Sequence, residues 1–272
     1  NLANPKKNVV ALLNSLNMEF DPAMSNRPWA VLTQMRQFFE VRRLSPKMTD
    51  VDDDVDVVMV VHPSSLNQTA RYAIDQFVLG GGRALVFVDA NAEVDVPPDG
   101  RMVSLPRSDF NKNLKGWGLK LVGDKIAGDL DAARRVNIRA GKKMSVVDYV
   151  VWLKLDQKNF DASDAVTGGL RVINMATAGI LEATGAEGVQ ILPLISTGPR
   201  SMMIDADKVM HTPDAIGLFR DFKPQNKPLM LAARVQGIIK TAFPDGAPKE
   251  KSGPDKGAKA KGVPEPHLAQ SA

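Results

Sequence analysis

His62, Ser64, Ser65 and Asp89 supply the side-chain types of a nucleophilic hydrolase. A hydroxyl would attack, an imidazole would take its proton, and a carboxylate would orient the imidazole. Asn14 and Ser15 add two further polar groups. These six residues follow apolar runs that read as neighbouring strands of one sheet. In an open parallel sheet, ligands bind outside the carboxyl ends of the strands, where the strand order reverses. The loops at that point are 14–24 and 62–65, so Asn14, Ser15, His62, Ser64 and Ser65 line the expected crevice, with Asp89 on the next strand. Two features weigh against catalysis. No Gly-x-Ser-x-Gly elbow presents a nucleophile, and His62 is fixed beside Pro63. The expected role of the six is therefore capping or ligand positioning, with hydrolysis or group transfer by His62 and Ser64 or Ser65 as the alternative.

Other residue types narrow the chemistry further. Gly80-Gly81-Gly82 is no phosphate loop, because it follows a helical pattern instead of preceding one and lacks Gly-Lys-Ser/Thr. It reads as a helix C-cap. Asp50, Asp52, Asp53, Asp54 and Asp56 crowd one loop, but the glycine and terminal glutamate of an EF-hand are missing. A solvated acidic turn is the expectation. His62, His211 and His267 are far apart in sequence, and their spacing does not ask for zinc. Cysteine is absent, which removes disulfides, thiolate metal sites and a cysteine nucleophile. Ser196 to Ser201 is a polar, basic turn expected to make a hairpin-type connection. Arg234 interrupts an apolar strand and is expected to pair with a carboxylate. Trp29, Trp117 and Trp152 sit in apolar patterns and read as core. No metal and no cofactor is expected.

The elements that must position these groups are readable in the first half. Asn8–Leu13 is an apolar strand. Ser25 or Asn26 can cap a helix to Phe39, with Pro28 in its first turn and Trp29, Leu32, Met35 and Phe39 on one stripe. Val41–Leu44 is a short edge strand, and Val57–Val61 a strand covered on both faces. Ser64 or Ser65 can cap the next helix, in which Leu66, Ala70, Ala73, Ile74, Phe77 and Val78 recur at helical spacing. Ala84–Val88 reads as a second buried strand. Right-handed crossovers make the strands parallel, in the flavodoxin-like order 2-1-3-4.

Residues 91–106 read as a Pro-rich connector, 108–117 as a short helix, and 119–140 as mixed and charged. From Ser145 the apolar runs are shorter and strand-rich. The expected organisation is an N-terminal α/β domain with its connector over 1–106, then a second α/β portion over 107–244 that either extends the same sheet or stands apart. Residues 245–272 are Gly, Pro, Ala, Lys and Ser-rich and cannot offset their ordering entropy by burial, so they read as a disordered tail or spacer.

The stretch from His62 to Asp89, with Ile74-Asp75-Gln76-Phe77-Val78-Leu79 at its centre, carries a family resemblance. It resembles the extracytoplasmic auxiliary component of uncharacterised ABC-type transport systems related to the gliding-motility protein GldG. Asp148-Tyr149 with Trp152-Leu153, Pro193 to Thr197, Ala232 to Gly237 and Thr241 to Gly246 are similar to family segments in the same order. The resemblance implies a location at the outer face of the inner membrane and a partnership with a permease and, through it, a cytoplasmic ATPase. It implies no catalytic signature. The parallel sheet also resembles the glutamine-amidotransferase group, whose nucleophile is a cysteine that this chain lacks.

At 272 residues, with 44% hydrophobic and 24% charged residues, the chain can bury a sizeable core. Its net charge of +4 is scattered, without the basic and aromatic stripe of a nucleic-acid binder. No run reaches the roughly 18 apolar residues of a transmembrane helix. The opening Asn1-Leu2-Ala3-Asn4-Pro5 reads as a cut inside a longer protein, anchored through flanking segments. The expected function is a non-enzymatic accessory domain that binds a partner protein or a small polar or glycan ligand. A ligand-free assembly scaffold is the remaining alternative.

Overall fold

The computed structural model describes residues 6–21, 25–95, 105–140, 143–210, 213–249 and 269–271. Pro97, Pro98 and Gly100 of the connector, His211, His267 and most of the tail lie outside the described residues.

The first half forms as its apolar runs dictate. β1 (Val9–Asn14), α1 (Ala30–Phe38), β2 (Glu40–Arg43), β3 (Val57–Val61), α2 (Gln68–Leu79) and β4 (Arg83–Phe87) follow one another. The strands are parallel in the order β2-β1-β3-β4. Alternate residues point to opposite faces. Val9, Ala11, Leu13, Val58 and Val60 pack with Ala70, Ile74 and Val78 of α2. Val10, Leu12, Met59 and Val61 pack with Leu32 of α1 on the other face. Each such fully buried aliphatic stabilises the fold by about 1.5–3 kcal/mol. β2 is charged and exposed at the sheet edge, which discourages further pairing.

Both helices start later than the sequence suggests. Ser25 and Asn26 cap nothing: they sit in a turn at φ 56° and 57°, and Pro28 precedes the helix. The turn is held out of the helix by the Trp29 indole donating to Asp21 at 2.8 Å and the Trp29 amide to the Met18 carbonyl at 2.9 Å. In α2 the cap is Asn67, whose side chain accepts the Ala70 amide at 2.7 Å. Neither Ser64 nor Ser65 caps it. At the other end Gly80 terminates α2 and Gly81 takes φ 94°, as the glycine run requires.

The second half is mainly antiparallel. α3 (Asn111–Gly116) leads into β5 (Leu119–Asp129), β6 (Ala133–Ala140), β7 (Lys143–Asp156), β8 (Val172–Ala176), β9 (Gly179–Ala183), β10 (Val189–Ser196) and β11 (Ser201–Asp205). The short α4 (Ala215–Arg220), β12 (Met230–Lys240) and β13 (Ala269–Ser271) follow. One sheet runs β10-β12-β9-β5-β11, and β6-β7-β8 form another. These are sheets of their own, not an extension of the parallel one. The mixed, charged stretch 119–140 is thus strand, with Leu119 and Leu121 facing the core between polar neighbours. The Ser196–Ser201 turn is no hairpin, since β10 and β11 stand at opposite ends of their sheet's order. Its Gly198 amide donates to buried Asp129 at 2.6 Å, and Arg200 pairs with Asp131. Within the tail, β13 pairs antiparallel with the end of β12.

One hydrophobic cluster spans both halves: Val9, Val58 and Ile74 share it with Phe110, Leu114, Trp117, Leu121 and Ile239. Arg234 pairs with Asp164 through two bonds of 2.8 Å, the carboxylate partner expected for it.

Candidate functional site

The six candidate residues do gather at the carboxyl ends of β1, β3 and β4, but in two separate groups. Asn14 and Ser15 end β1. The Ser15 amide donates to the Val61 carbonyl at 3.2 Å, and the Ser15 hydroxyl accepts the Ser64 amide at 3.3 Å. The Asn14 side-chain oxygen is sealed from solvent and takes no hydrogen bond among the described residues. The gap between β1 and β3 is therefore bridged by the chain itself, leaving the exposed Ser64 and Ser65 at its rim. Because α2 begins at Gln68, the first-turn amide of Ala70 is taken by the Asn67 side chain and not by Ser64 or Ser65.

His62 turns the other way, towards β4. Its backbone sits at φ 46°, in the left-handed region, with its amide donating to the Phe87 carbonyl at 2.9 Å. The ring is buried between Ser108 and Asp95: Nδ1 lies 3.0 Å from Ser108 Oγ, and Nε2 lies 3.1 Å from Asp95 Oδ2. A carboxylate only accepts, so Nε2 is the donor to Asp95, and in the tautomer that carries its proton there Nδ1 accepts a hydrogen bond from the Ser108 hydroxyl. Ser108 Oγ also accepts the Asp89 amide at 2.9 Å, while the Ser108 amide donates to the Asp89 carbonyl at 2.8 Å. So the imidazole pairs with a serine and an aspartate, though not with Ser64, Ser65 or Asp89.

Asp89 faces the second half instead. Its Oδ1 accepts the Gly179 amide at 3.1 Å and, more weakly, the Asn91 amide at 3.4 Å. Burial pushes its carboxyl up to about 7, with those amides pulling in the opposite direction. Next to it, the buried side-chain amide of Asn91 donates through Nδ2 to Thr177 Oγ1 at 3.2 Å, and the Thr177 hydroxyl returns a bond to the Asn91 backbone carbonyl at 3.1 Å. Thr177 stands at φ 46°, which costs a β-branched residue about 1–3 kcal/mol. The Trp152 indole donates to Glu93 at 3.0 Å and is more exposed than its apolar surroundings suggest. Burial, with a smaller push from Glu93, raises the Tyr149 phenol to about 12.

Ser108, Asp95, Asn91 and Thr177 are the members that the sequence reading missed. Asn91, Glu93 and Asp95 alternate directly after a strand end, and that polar spacing was the available signal. The acidic run works locally: Asp54 grips Arg42 through two bonds of 2.7 Å, and Asp56 accepts the Val9 amide at 2.7 Å. Among the described residues, no three metal-ligating groups converge.

Residues 7–264 match the family described as ABC-type uncharacterized transport system. The chain belongs to that family. It is an auxiliary component of an ABC-type transport system, and no curated protein matches it. Two of the segments similar to the family meet in space, the α2 segment and that from Thr241 to Gly246. Tyr149 and Trp152 pack edge to face at 5.5 Å beside Glu93, and the α2 segment contacts Thr241 and Ala242. Among the described residues, no helix is long and apolar enough to cross a membrane.

Proposed function

We propose that this auxiliary component is a non-enzymatic binding domain held at the extracytoplasmic face of the membrane. In this reading it belongs to the GldG-like branch and works beside a permease whose cytoplasmic ATPase supplies the energy. The chain has no Gly-x-x-x-x-Gly-Lys-Ser/Thr to hold a triphosphate itself. The extracytoplasmic placement rests on the resemblance of the 62–89 and 241–246 segments. The polar rim at Ser64 and Ser65, with Ser15 behind it, suits a partner loop or the hydroxyls of a small polar or glycan ligand.

The observation that carries the non-catalytic reading is the use of His62 and Ser108 inside the fold. Both are buried, at 3% and 8% exposure, and the Ser108 oxygen already accepts a backbone amide. A nucleophile must instead be reachable by substrate and free to move its proton. A second reading, hydrolysis by Ser108 with His62 and Asp95, is favoured by their separations of 3.0 and 3.1 Å. A fluorophosphonate probe separates the two. No labelling of Ser108 is expected, and labelling abolished by Ser108→Ala or His62→Ala in a folded protein would overturn the non-enzymatic reading.

A further inference from the structure

β4 is an edge strand that lacks the usual protection. In the order β2-β1-β3-β4 it has a neighbour on one side only among the described residues. Arg83, Ala84, Leu85 and Phe87 are exposed and Val86 is partly so, with Leu85 and Phe87 each 49% exposed. It holds no proline and no bulge, and its one charge, Arg83, stands at its first position and leaves Ala84 to Phe87 bare. Natural edge strands normally carry one of those devices, because a bare edge is a template for another strand.

The backbone of this edge has a defined polarity. The Phe87 carbonyl accepts the His62 amide, so the backbone groups of Phe87, and by alternation of Leu85 and Arg83, point to β3. Those of Ala84 and Val86 point outward. A two-fold axis beside Leu85 would set a second β4 antiparallel to the first. Ala84 would then exchange both backbone bonds with Val86 of the second copy, and Val86 with its Ala84. Leu85 would face Leu85 in the close, non-hydrogen-bonded type of pair. In the same register each Arg83 guanidinium falls opposite a Phe87 ring, a cation–π pairing made twice by the symmetry. No like charges meet. The five residues Arg83 to Phe87 are thus complementary to themselves about their centre, as a two-fold interface requires.

We propose that a second copy of this chain docks on β4, joining the two parallel sheets across an antiparallel Leu85–Leu85 centre. Sedimentation velocity on the full 272-residue chain, over about a hundredfold range of concentration, should show reversible dimerisation by mass action. Leu85→Lys sets two ammonium groups against each other at the centre, and Ala84→Pro deletes an outward N–H without touching the β3 ladder. Each should weaken the dimer at least about tenfold and leave the far-ultraviolet dichroism unchanged. The natural absence of cysteine permits a register test that does not rely on those variants. Leu85→Cys should oxidise to a disulfide-linked dimer, since the facing Cα atoms would be about 4.5 Å apart, whereas Phe38→Cys on exposed α1 should not. A chain that stays monomeric throughout leaves the edge to a strand of another protein and overturns the proposal. So does a dimer that survives both substitutions, or Leu85→Cys linking no faster than Phe38→Cys.

Discussion

The buried carboxylate of Asp75 accepts the hydroxyl proton of Thr241 across 2.5 Å, joining α2 to the chain just after β12. Asp75 also accepts the Trp117 indole at 3.0 Å and the Ala242 amide at 3.2 Å. Burial pushes its carboxyl up, opposed first by the Thr241 bond. The neighbouring Phe243 ring is clasped by Tyr72, edge to face at 5.4 Å, and by the Lys112 ammonium 3.7 Å from its centre. This junction ties three segments remote in sequence, α2, α3 and residues 241–243, into one unit.

Removing that acceptor should therefore be costly. Asp75→Ala leaves the Trp117 N–H and the Ala242 N–H without a buried partner, and each such loss costs about 1–3 kcal/mol. A total destabilisation of about 3 kcal/mol is expected in urea unfolding. Asp75→Asn keeps one acceptor oxygen and should fall between Ala and the parent. A loss below about 1 kcal/mol for the alanine variant would mean that water replaces the carboxylate.

The start of α2 gives a contrast between neighbours. Asn67→Ala removes the cap on the Ala70 amide and should cost about 1 kcal/mol. Ser65→Ala, at an exposed position with no capping role, should stay within about 0.5 kcal/mol of the parent. Equal losses in chemical denaturation would contradict the placement of the helix start.

Asp89 sets a direction for pH dependence. Its carboxyl lies near 3.8 when unfolded and at about 7 when folded. Between those values the folded chain holds a proton that the unfolded chain has released, so stability falls as pH rises through this window. Asp75 shifts in the same direction. The surface carboxylates of Asp54, Asp131, Asp164 and Asp205, lowered by their Arg or Lys partners, act below that window and lose their contribution on acidification. The melting temperature should thus be higher at pH 5 than at pH 8, and Asp89→Asn should flatten much of the difference. A melting temperature that rises steadily to pH 8 would contradict the burial of this group.

The first half was legible because its two central strands, β1 and β3, are unbroken runs of Val, Ala, Leu and Met buried on both faces, which leaves the order 2-1-3-4 as the natural solution. The helix starts were not, because Ser64, Ser65 and Asn67 are all capable caps. Tertiary packing chose among them: Leu66 is drawn into the core, and Asn67 follows at the first position free to cap. β5 and β6 were hidden by Lys120, Arg134 and Arg135, whose charges interrupt the apolar alternation by which a strand is read. The site was half visible. Loop residues that follow a strand can be placed at its end from sequence, which located His62 and Asp89. Which partner each takes depends on segments 19 to 90 positions away, and no local pattern encodes Ser108 or Gly179 as those partners.

The central claim is that this chain serves an ABC-type transport system by binding and not by chemistry of its own. The most direct test is affinity purification of the protein from its native membranes under mild detergent, with quantitative mass spectrometry of what comes with it. The account predicts a multi-spanning permease and its ATPase in amounts comparable to the bait, in the absence of any added nucleotide. Recovery of the bait with neither of them, under conditions where permease and ATPase remain associated with each other, would contradict it.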